Sequence, residues 1–440
     1  MLPEGALMSV GKFDGKTVLV LGSNVSADDI VAYAKENGAH TIVADYYPPE
    51  RSIAKRVADE DVLISTADVD ALEQLARSKG VDAVFSGISE FNLLRAMELS
   101  ERLELPFYCT REQWNEVESK ESFRRLCMRH SVPCPREYYH GSVLEDCAKA
   151  VEAWPIVVKP VDGSASMGVS FCSDETSLET AFQQALAASD KKMVIAEEFV
   201  EGNEFTAHYT IHDGKASLSC MDNRYPVTVH DGSVTTVPVA RIYPNIHIDK
   251  YVDQVNESMV NLIESLGVRQ GVLFVQGIYN KDEDRYAVFE AGMRSAGEAP
   301  YRFLKDMNGV NYLTSMVDVA LLGETDYDSS KEDPGLGGRC AGVISFVALG
   351  GRKVGSISGL EEAVAATQSV VSYESRYPIG SVTPDTDTLR QLMIRFVMEC
   401  DSRDQMSRDI DFLNKSVNVF DAEGRDMVVK MSPSRVFDEG

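Results

Sequence analysis

From Thr17 to Tyr108 short apolar runs alternate with stretches whose apolar positions recur every three or four residues. TVLVLG, TIVAD, DVLIS, DAVFSG and LPFYC read as strands, because each is a short apolar run closed by turn or polar residues. Asp28 to Asn37, Val69 to Lys79 and Glu90 to Arg102 read as amphipathic helices between them. Short strands alternating with amphipathic helices predict a parallel α/β sheet of Rossmann-like type.

The pattern then changes. Lys120 opens a helical stretch, KESFRRLCMRH, which SVPCP ends because Pro133 and Pro135 cannot continue a helix. Trp154 to Phe199 reads strand, loop, strand (GVSFC), helix (Leu178 to Ala188), strand (MVIAEEF). Glu204 to Arg224 predicts two antiparallel strands joined at His212-Asp213-Gly214-Lys215. Tyr251 to Leu266 predicts a helix capped by Gly267, Val272 to Glu290 a hairpin, and Val310 to Leu322 a helix. DYDSSKEDPGLGGR marks a boundary, after which the chain is strand-rich and ends in an expected hairpin, VNVFDAEGRDMVVKM. The expected division is residues 1–112, 113–200, 201–328 and 329–440, within the range that 440 residues allow.

Composition narrows the partners. Lys and Arg number 43 against 69 Asp and Glu, a formal charge of −26. That argues against nucleic acid or an anionic membrane as the main partner, while a small site needs only a few local cations. No run approaches the ~20 apolar residues of a membrane span, and the N-terminus lacks the basic and apolar regions of a signal peptide. Eight cysteines occur without a C-x-x-C pair or His/Cys metal spacing. Free thiols in a reducing cytoplasm are the expectation.

Three pieces carry chemistry. The first is PIVVKPVDGSASMGVS, where Lys159 closes an apolar run and a Gly- and Ser-rich loop follows. Backbone N–H groups of such a loop can converge on phosphate oxygens. Gly163 and Gly168 have the spacing of a Walker A loop, but Val169 stands where its lysine must be, so this is not a P-loop. A surface hairpin explains the loop equally well; Lys159 tips the balance, because a lysine in a buried strand needs an anion to meet. The second piece is IAEEFVEGNEFT. Its strand end can offer polar backbone to a base edge, with Phe199 and Val200 over the face, and Glu204 can accept from ribose hydroxyls. The third is the hairpin, in which Gln276 and Glu290 should face each other with Cβ atoms about 5 Å apart. Two oxygen ligands at that spacing suit Mg²⁺ bridging phosphates, and Arg294 lies where a cation can neutralise a phosphoryl group or anchor a carboxylate. Gly22-Ser23-Asn24 and Asp45 imitate part of a dinucleotide fingerprint, but the full G-x-G-x-x-G is missing. A tight turn at a strand end is the simpler reading.

Taken together, these residues resemble the ATP-grasp superfamily, from roughly Thr17 to the C-terminus. The resemblance implies an ATP-grasp fold, α/β with α+β lid and central parts, an N-terminal Rossmann-like domain and a small β-rich C-terminal lobe. It implies Lys120 and Lys159 as the phosphate-contacting lysines. Gly163, Ser164, Ser166, Met167 and Gly168 fall in the flexible loop over the phosphates, Glu197, Glu198, Phe199 and Val200 form the adenine hinge, and Glu204 is the ribose acid. The metal positions fall on Gln276 and Glu290, with ATP and Mg²⁺ or Mn²⁺ as cofactors. Two departures stand out. Gln276 replaces the usual acid, and the usual E-x-N-x-R ending reads Glu290-Ala291-Gly292-Met293-Arg294, so Gly292 supplies no ligand. Either water completes the shell, or metal affinity is reduced, or another acid such as Glu298 contributes.

The resemblance implies a carboxylate–amine ligase with an acyl-phosphate intermediate, acting on small-molecule carboxylate and amine substrates in the cytoplasm, with a homodimer common among relatives. Arg294 and Lys159 would be its catalytic cations. Glu204, Thr206 and His208 alternate along one strand and so share a face; His208, Asp222, Arg224 and Arg241 are the candidate substrate contacts. Three rival functions stand beside it. One is a bicarbonate-activating enzyme like carbamoyl-phosphate synthase or biotin carboxylase. The others are an ATP-binding regulatory protein with weak catalysis and an NAD-dependent enzyme using the first domain.

Overall fold

The computed structural model describes residues 11–162, 167–228, 237–386 and 388–438. The first sheet is fully parallel, with strand order Glu60–Val62, His40–Ala44, Thr17–Leu21, Ala83–Ser86. Its alternation explains why the strands read as continuous apolar runs. Val18 and Val20 pack with the helix Ala27–Glu36 on one face. Leu19 and Leu21 pack with the helices Val69–Lys79 and Glu90–Leu103 on the other. A sheet buried on both faces has no polar side to show.

LPFYC is not a strand; residues 105–109 run as irregular backbone. Pro106 lacks the N–H that a ladder needs, and the Tyr108 hydroxyl donates to Met293 O at 2.9 Å. The segment thus ties the first domain to the central sheet.

A second antiparallel sheet has the order Glu137–Gly141, Val194–Glu198, Ile156–Pro160, Ser170–Cys172. The helix Glu175–Ala188 covers it, burying Leu178, Phe182 and Ala185 against Ile156 and Val158. The third sheet has the order Lys215–Met221, Asn203–His212, Gly271–Asn280, Arg285–Gly292. Phe205, Ala207, Tyr209 and Ile211 face a helical core containing Tyr251, Met259 and Leu262. Thr206, His208 and Thr210 therefore face the other way. The expected helix Tyr251–Leu266 begins earlier, at Ile248, and runs to Ser265 with a widened π turn at Val252–Asn256.

Two expectations about strand partners are corrected. The second strand of the Glu204–Arg224 pair stops at Met221, and Asn223–Val227 joins a different sheet. There it pairs with Val237–Tyr243, which pairs with Cys340–Ala348 and then Leu392–Cys400. That sheet crosses the expected cut at residue 328. The expected C-terminal hairpin is only a tight turn closed by a Phe420–Asp426 bridge. Asn418–Asp421 pairs with Val354–Ser358, and Val428–Val429 with Cys340–Ala348. An apolar run flanking a turn does not say which neighbour takes its edge.

All eight cysteines are free thiols. Among the described residues no helix is long and apolar enough to cross a membrane.

Candidate functional site

A cleft of roughly 200 Å³ opens where the second sheet meets the third. Lys120, Lys159, Glu197 and Glu290 give it charge. Val157, Val200, Ile278 and Phe289 give it apolar walls. Each polar group arrives from a different element. Lys120 is the first residue of the helix Lys120–Arg129, whose N-cap Ser119 accepts from Ser122 N. Lys159 and Glu197 lie on adjacent antiparallel strands, and Glu290 on the hairpin's second strand.

Lys159 and Glu197 are buried and form an ion pair. The anion that a buried lysine requires is therefore supplied by the protein itself, with the cavity beside it. Burial lowers the Lys120 pKa, with Glu290 pulling the other way and Lys159 adding to the fall. An arriving polyanion would favour the charged form of Lys120.

The hinge is built differently from the expectation. Glu198 N–H donates to Arg136 O at 2.8 Å and Phe199 N–H to Pro155 O at 3.3 Å, so both are already used. The Glu198 carboxylate accepts from Arg136 N at 2.9 Å and pairs with Arg285. Burial opposes its ionisation, but Arg285 and the Arg136 N–H outweigh burial and lower its pKa. Glu198 thus ties the two sheets together. Phe199 packs edge-on against Phe171 at 4.8 Å between ring centroids. Gly163, Ser164 and Ser166 lie outside the described residues. Met167 lines the cleft and is largely exposed. Gly168 has φ +74°, and a Cβ there would lie 2.6 Å from Ala188 Cβ, so only glycine fits.

Gln276 pairs with Glu290 as expected, though through a bulge at Phe289. The ladder from Asn280 to Gly277 is set one residue differently, and the extra residue restores the facing pair. Gly292 has no room for a ligand: a Cβ would meet Phe274 ring atoms at 2.5 and 2.6 Å. Phe274 also carries Arg294 over its face at 4.9 Å. Among the described residues no group of three or more His, Cys, Asp or Glu is placed to hold a metal ion. One carboxylate and one amide oxygen still fit Mg²⁺ held mainly by phosphates.

Glu204 does not line the cleft; it pairs with Arg224. The four candidate substrate contacts fall together instead in a buried charge cluster. Arg241 donates to Thr206 Oγ1 at 2.6 Å and Asp222 Oδ2 at 2.8 Å, and its Nε lies 2.9 Å from Glu298. Glu298 is only 8% exposed, so it is committed to Arg241 and does not complete a metal shell. Arg395, from the strand Leu392–Cys400, reaches Glu298 at 3.9 Å. Burial pushes the His208 pKa down to about 3, against Glu298 and with Arg241.

Sequence reasoning missed Glu118, at the end of the helix Arg111–Glu118. It accepts from Met293 N at 3.2 Å. Burial pushes it up to about 7, Arg294 opposing and Glu90 and Glu290 adding. Nothing local distinguishes this acid from its exposed neighbours. Arg395 was equally silent, because its strand reaches the cluster only through the sheet that joins distant parts of the chain.

Comparison with known proteins fits this geometry. The ATP-grasp domain family matches residues 152–300. A formate-dependent phosphoribosylglycinamide formyltransferase of Prochlorococcus marinus (strain MIT 9303) is 30% identical over 190 residues, 42% of this chain and 47% of the relative. Its counterpart in Haloquadratum walsbyi (strain DSM 16790 / HBSQ001) is 30% identical over 235 residues, 50% of this chain and 57% of the relative. The chain thus spans about half the length of the curated relatives it matches. Among solved structures, a biotin carboxylase from Campylobacter jejuni superposes with TM-score 0.75 at 15% identity, covering 92% of each chain. An L-amino acid ligase from Bacillus licheniformis gives TM-score 0.74 at 18% identity, covering 92% of this chain and 99% of that one. These likenesses extend the shared architecture over nearly the whole molecule. The matched stretch carries the Lys159 strand and both hairpin strands of the cleft, so residues 152–300 form an ATP-grasp domain.

Proposed function

We propose that the protein is an ATP-dependent carboxylate–amine ligase. The observation that carries this is the cleft between two sheets, lined by Lys120, Lys159 and Glu290 together with apolar Val157, Val200, Ile278 and Phe289, with Gln276 facing Glu290 across the hairpin. ATP lies with its base among Val157, Val200, Ile278 and Phe289 and its phosphates toward Lys120 and Lys159. Mg²⁺ or Mn²⁺ carried by the nucleotide would be held by Glu290 and Gln276 and would neutralise phosphate charge.

A substrate carboxylate oxygen attacks the γ-phosphorus. The new C–O–P linkage forms as the bond to the β-phosphate oxygen breaks, releasing ADP. An amine nitrogen then attacks the acyl carbon, phosphate leaves, and the nitrogen loses its proton. No protein nucleophile is required, and the side chains act by positioning and charge neutralisation.

ADP release over a panel of carboxylates and amines tests the reading. Release should require both substrates and the metal; ATP binding without ADP from any pair would overturn it. Gln276→Glu should tighten Mn²⁺–nucleotide binding several-fold, since an amide oxygen becomes a charged ligand. Weaker metal binding in that variant would remove position 276 from the site.

A further inference from the structure

The first sheet has strand order 3-2-1-4, so its connections reverse direction between Thr17–Leu21 and Ala83–Ser86. Crevices at such reversals, beyond the carboxyl ends of the strands, are where open α/β sheets bind ligands. Here the crevice is bounded by Ser26, Ser86 and Gly87 and meets Arg294 and Ser295 from the central sheet. Its backbone is tightly fitted, for a Cβ on Gly87 would lie 2.1 Å from Asn24 Oδ1.

The polar atoms around the crevice divide into two sets. Ser26 Oγ accepts from Tyr301 at 3.0 Å, and Ser295 Oγ meets Tyr312 Oη at 2.8 Å. Ser86 Oγ, Asn24 Nδ2 and Arg294 Nε are buried and have no partner. Ser86 is only 7% exposed. All three can donate, and unsatisfied buried donors are costly unless an acceptor arrives. The remaining wall is apolar: Phe85, Ile88, Leu93, Leu313 and Met316.

We infer that this crevice binds the carboxylate substrate, and that the substrate carries an uncharged apolar side chain. The inference rests on the ligase reading for the fate of that carboxylate, but not for its binding. Arg294 is the one charged residue among the described residues lining the crevice. A phosphoribosyl group, as in the substrate named for the curated relatives, carries a dianion that calls for several donors and cations.

Size sharpens the class. The crevice encloses about 30 Å³, room for about one water. A second cavity of about 150 Å³ shares Phe85, Phe107, Tyr108 and Met316 with it. Met316 lines both and is unbranched and half-buried, so a change of its rotamer would join the two spaces. A branched aliphatic side chain then extends from the Arg294 end toward Val84, Pro106 and Val319.

Calorimetry on the full chain with Mg²⁺ and a non-hydrolysable ATP analogue tests this without turnover. L-leucine and 4-methylpentanoate should bind at least tenfold more tightly than L-aspartate or ribose 5-phosphate. Met316→Trp should weaken leucine binding at least tenfold with nucleotide affinity unchanged, and Ser86→Ala several-fold. Met316→Ala, the gentler change, should shift preference from leucine to phenylalanine. Tighter binding of ribose 5-phosphate, absence of binding by any apolar acid, or leucine affinity indifferent to both Met316 variants would overturn the inference. Absence of ADP release with leucine binding intact would instead sink the ligase reading alone.

Discussion

The cleft around Lys159 and the cluster around Arg241 are both built from charged residues on strands, but they hold those charges in opposite ways. In the cleft, a lysine and a glutamate are paired beside roughly 200 Å³ of open space. In the cluster, Arg241 is enclosed by Asp222, Thr206 and Glu298, and none of the cavities described above is lined by it. Arg241 is held strongly protonated: burial lowers its pKa, and Glu298 and Asp222 more than reverse that. A charge with protein on every side is architecture; a charge with protein on one side and space on the other is available to a ligand. That difference separates two sets of residues that look alike in the sequence.

The largest expected effect comes from breaking the enclosed set. Arg241→Ala leaves Asp222 and Glu298 buried and unpaired, so urea unfolding should show a loss of about 3–5 kcal/mol. A loss below about 1 kcal/mol would mean that water enters the cluster and that it resembles the cleft after all. The matching change in the cleft should reverse the emphasis. Lys159→Ala leaves Glu197 next to open space where water can reach it, so the stability loss should be less than half that of Arg241→Ala. ATP use should fall at least about tenfold, the value of one charged contact. Near wild-type ADP release would remove Lys159 from the phosphate site.

How far this contrast could be read from sequence follows from the range of each interaction. Period-two and period-3.6 patterns are local, so the parallel sheet, its helices and the helix Glu175–Ala188 were legible. The facing of Gln276 and Glu290 was legible too, although it depends on a bulge at Phe289 that no pattern announces. Lys159 was found because a lysine ending an apolar strand is unusual. Its partner was not identified, since Glu197 was read as part of the nucleotide hinge and proves to be the lysine's own anion. The Arg241 cluster was read as candidate substrate contacts, and its mutual pairing went unseen for the same reason. Asp222, Arg241, Glu298 and Arg395 are distant in the chain, and only the sheet uniting Asn223–Val227 with Leu392–Cys400 brings them together. Phe274 filling the space at Gly292 is also long-range, so the missing ligand was visible while its steric cause was not.

The smallest effect is the dependence of stability on pH, and here the two regions should differ in sign. His208, in the cluster, has its pKa depressed from 6.5 to about 3, chiefly by burial. The folded state holds it neutral, so its contribution is present above about pH 6.5 and is lost as pH falls toward 3. Glu118, beside Arg294, is raised from 4.5 to about 7, again chiefly by burial. The native state there binds a proton that the unfolded chain releases, so stability declines as pH rises from about 4.5 to about 7. Glu118→Gln removes that titration while Oε1 can still accept from Met293 N. The variant should match wild type near pH 4.5 and become progressively more stable than wild type toward pH 8, as measured by urea midpoints across that range. His208→Gln should do the converse, gaining on wild type only below about pH 6. A Glu118→Gln difference that is flat with pH would show that water solvates this carboxylate. The surroundings of Arg294 would then be open to solvent, as the cleft is beside Lys159.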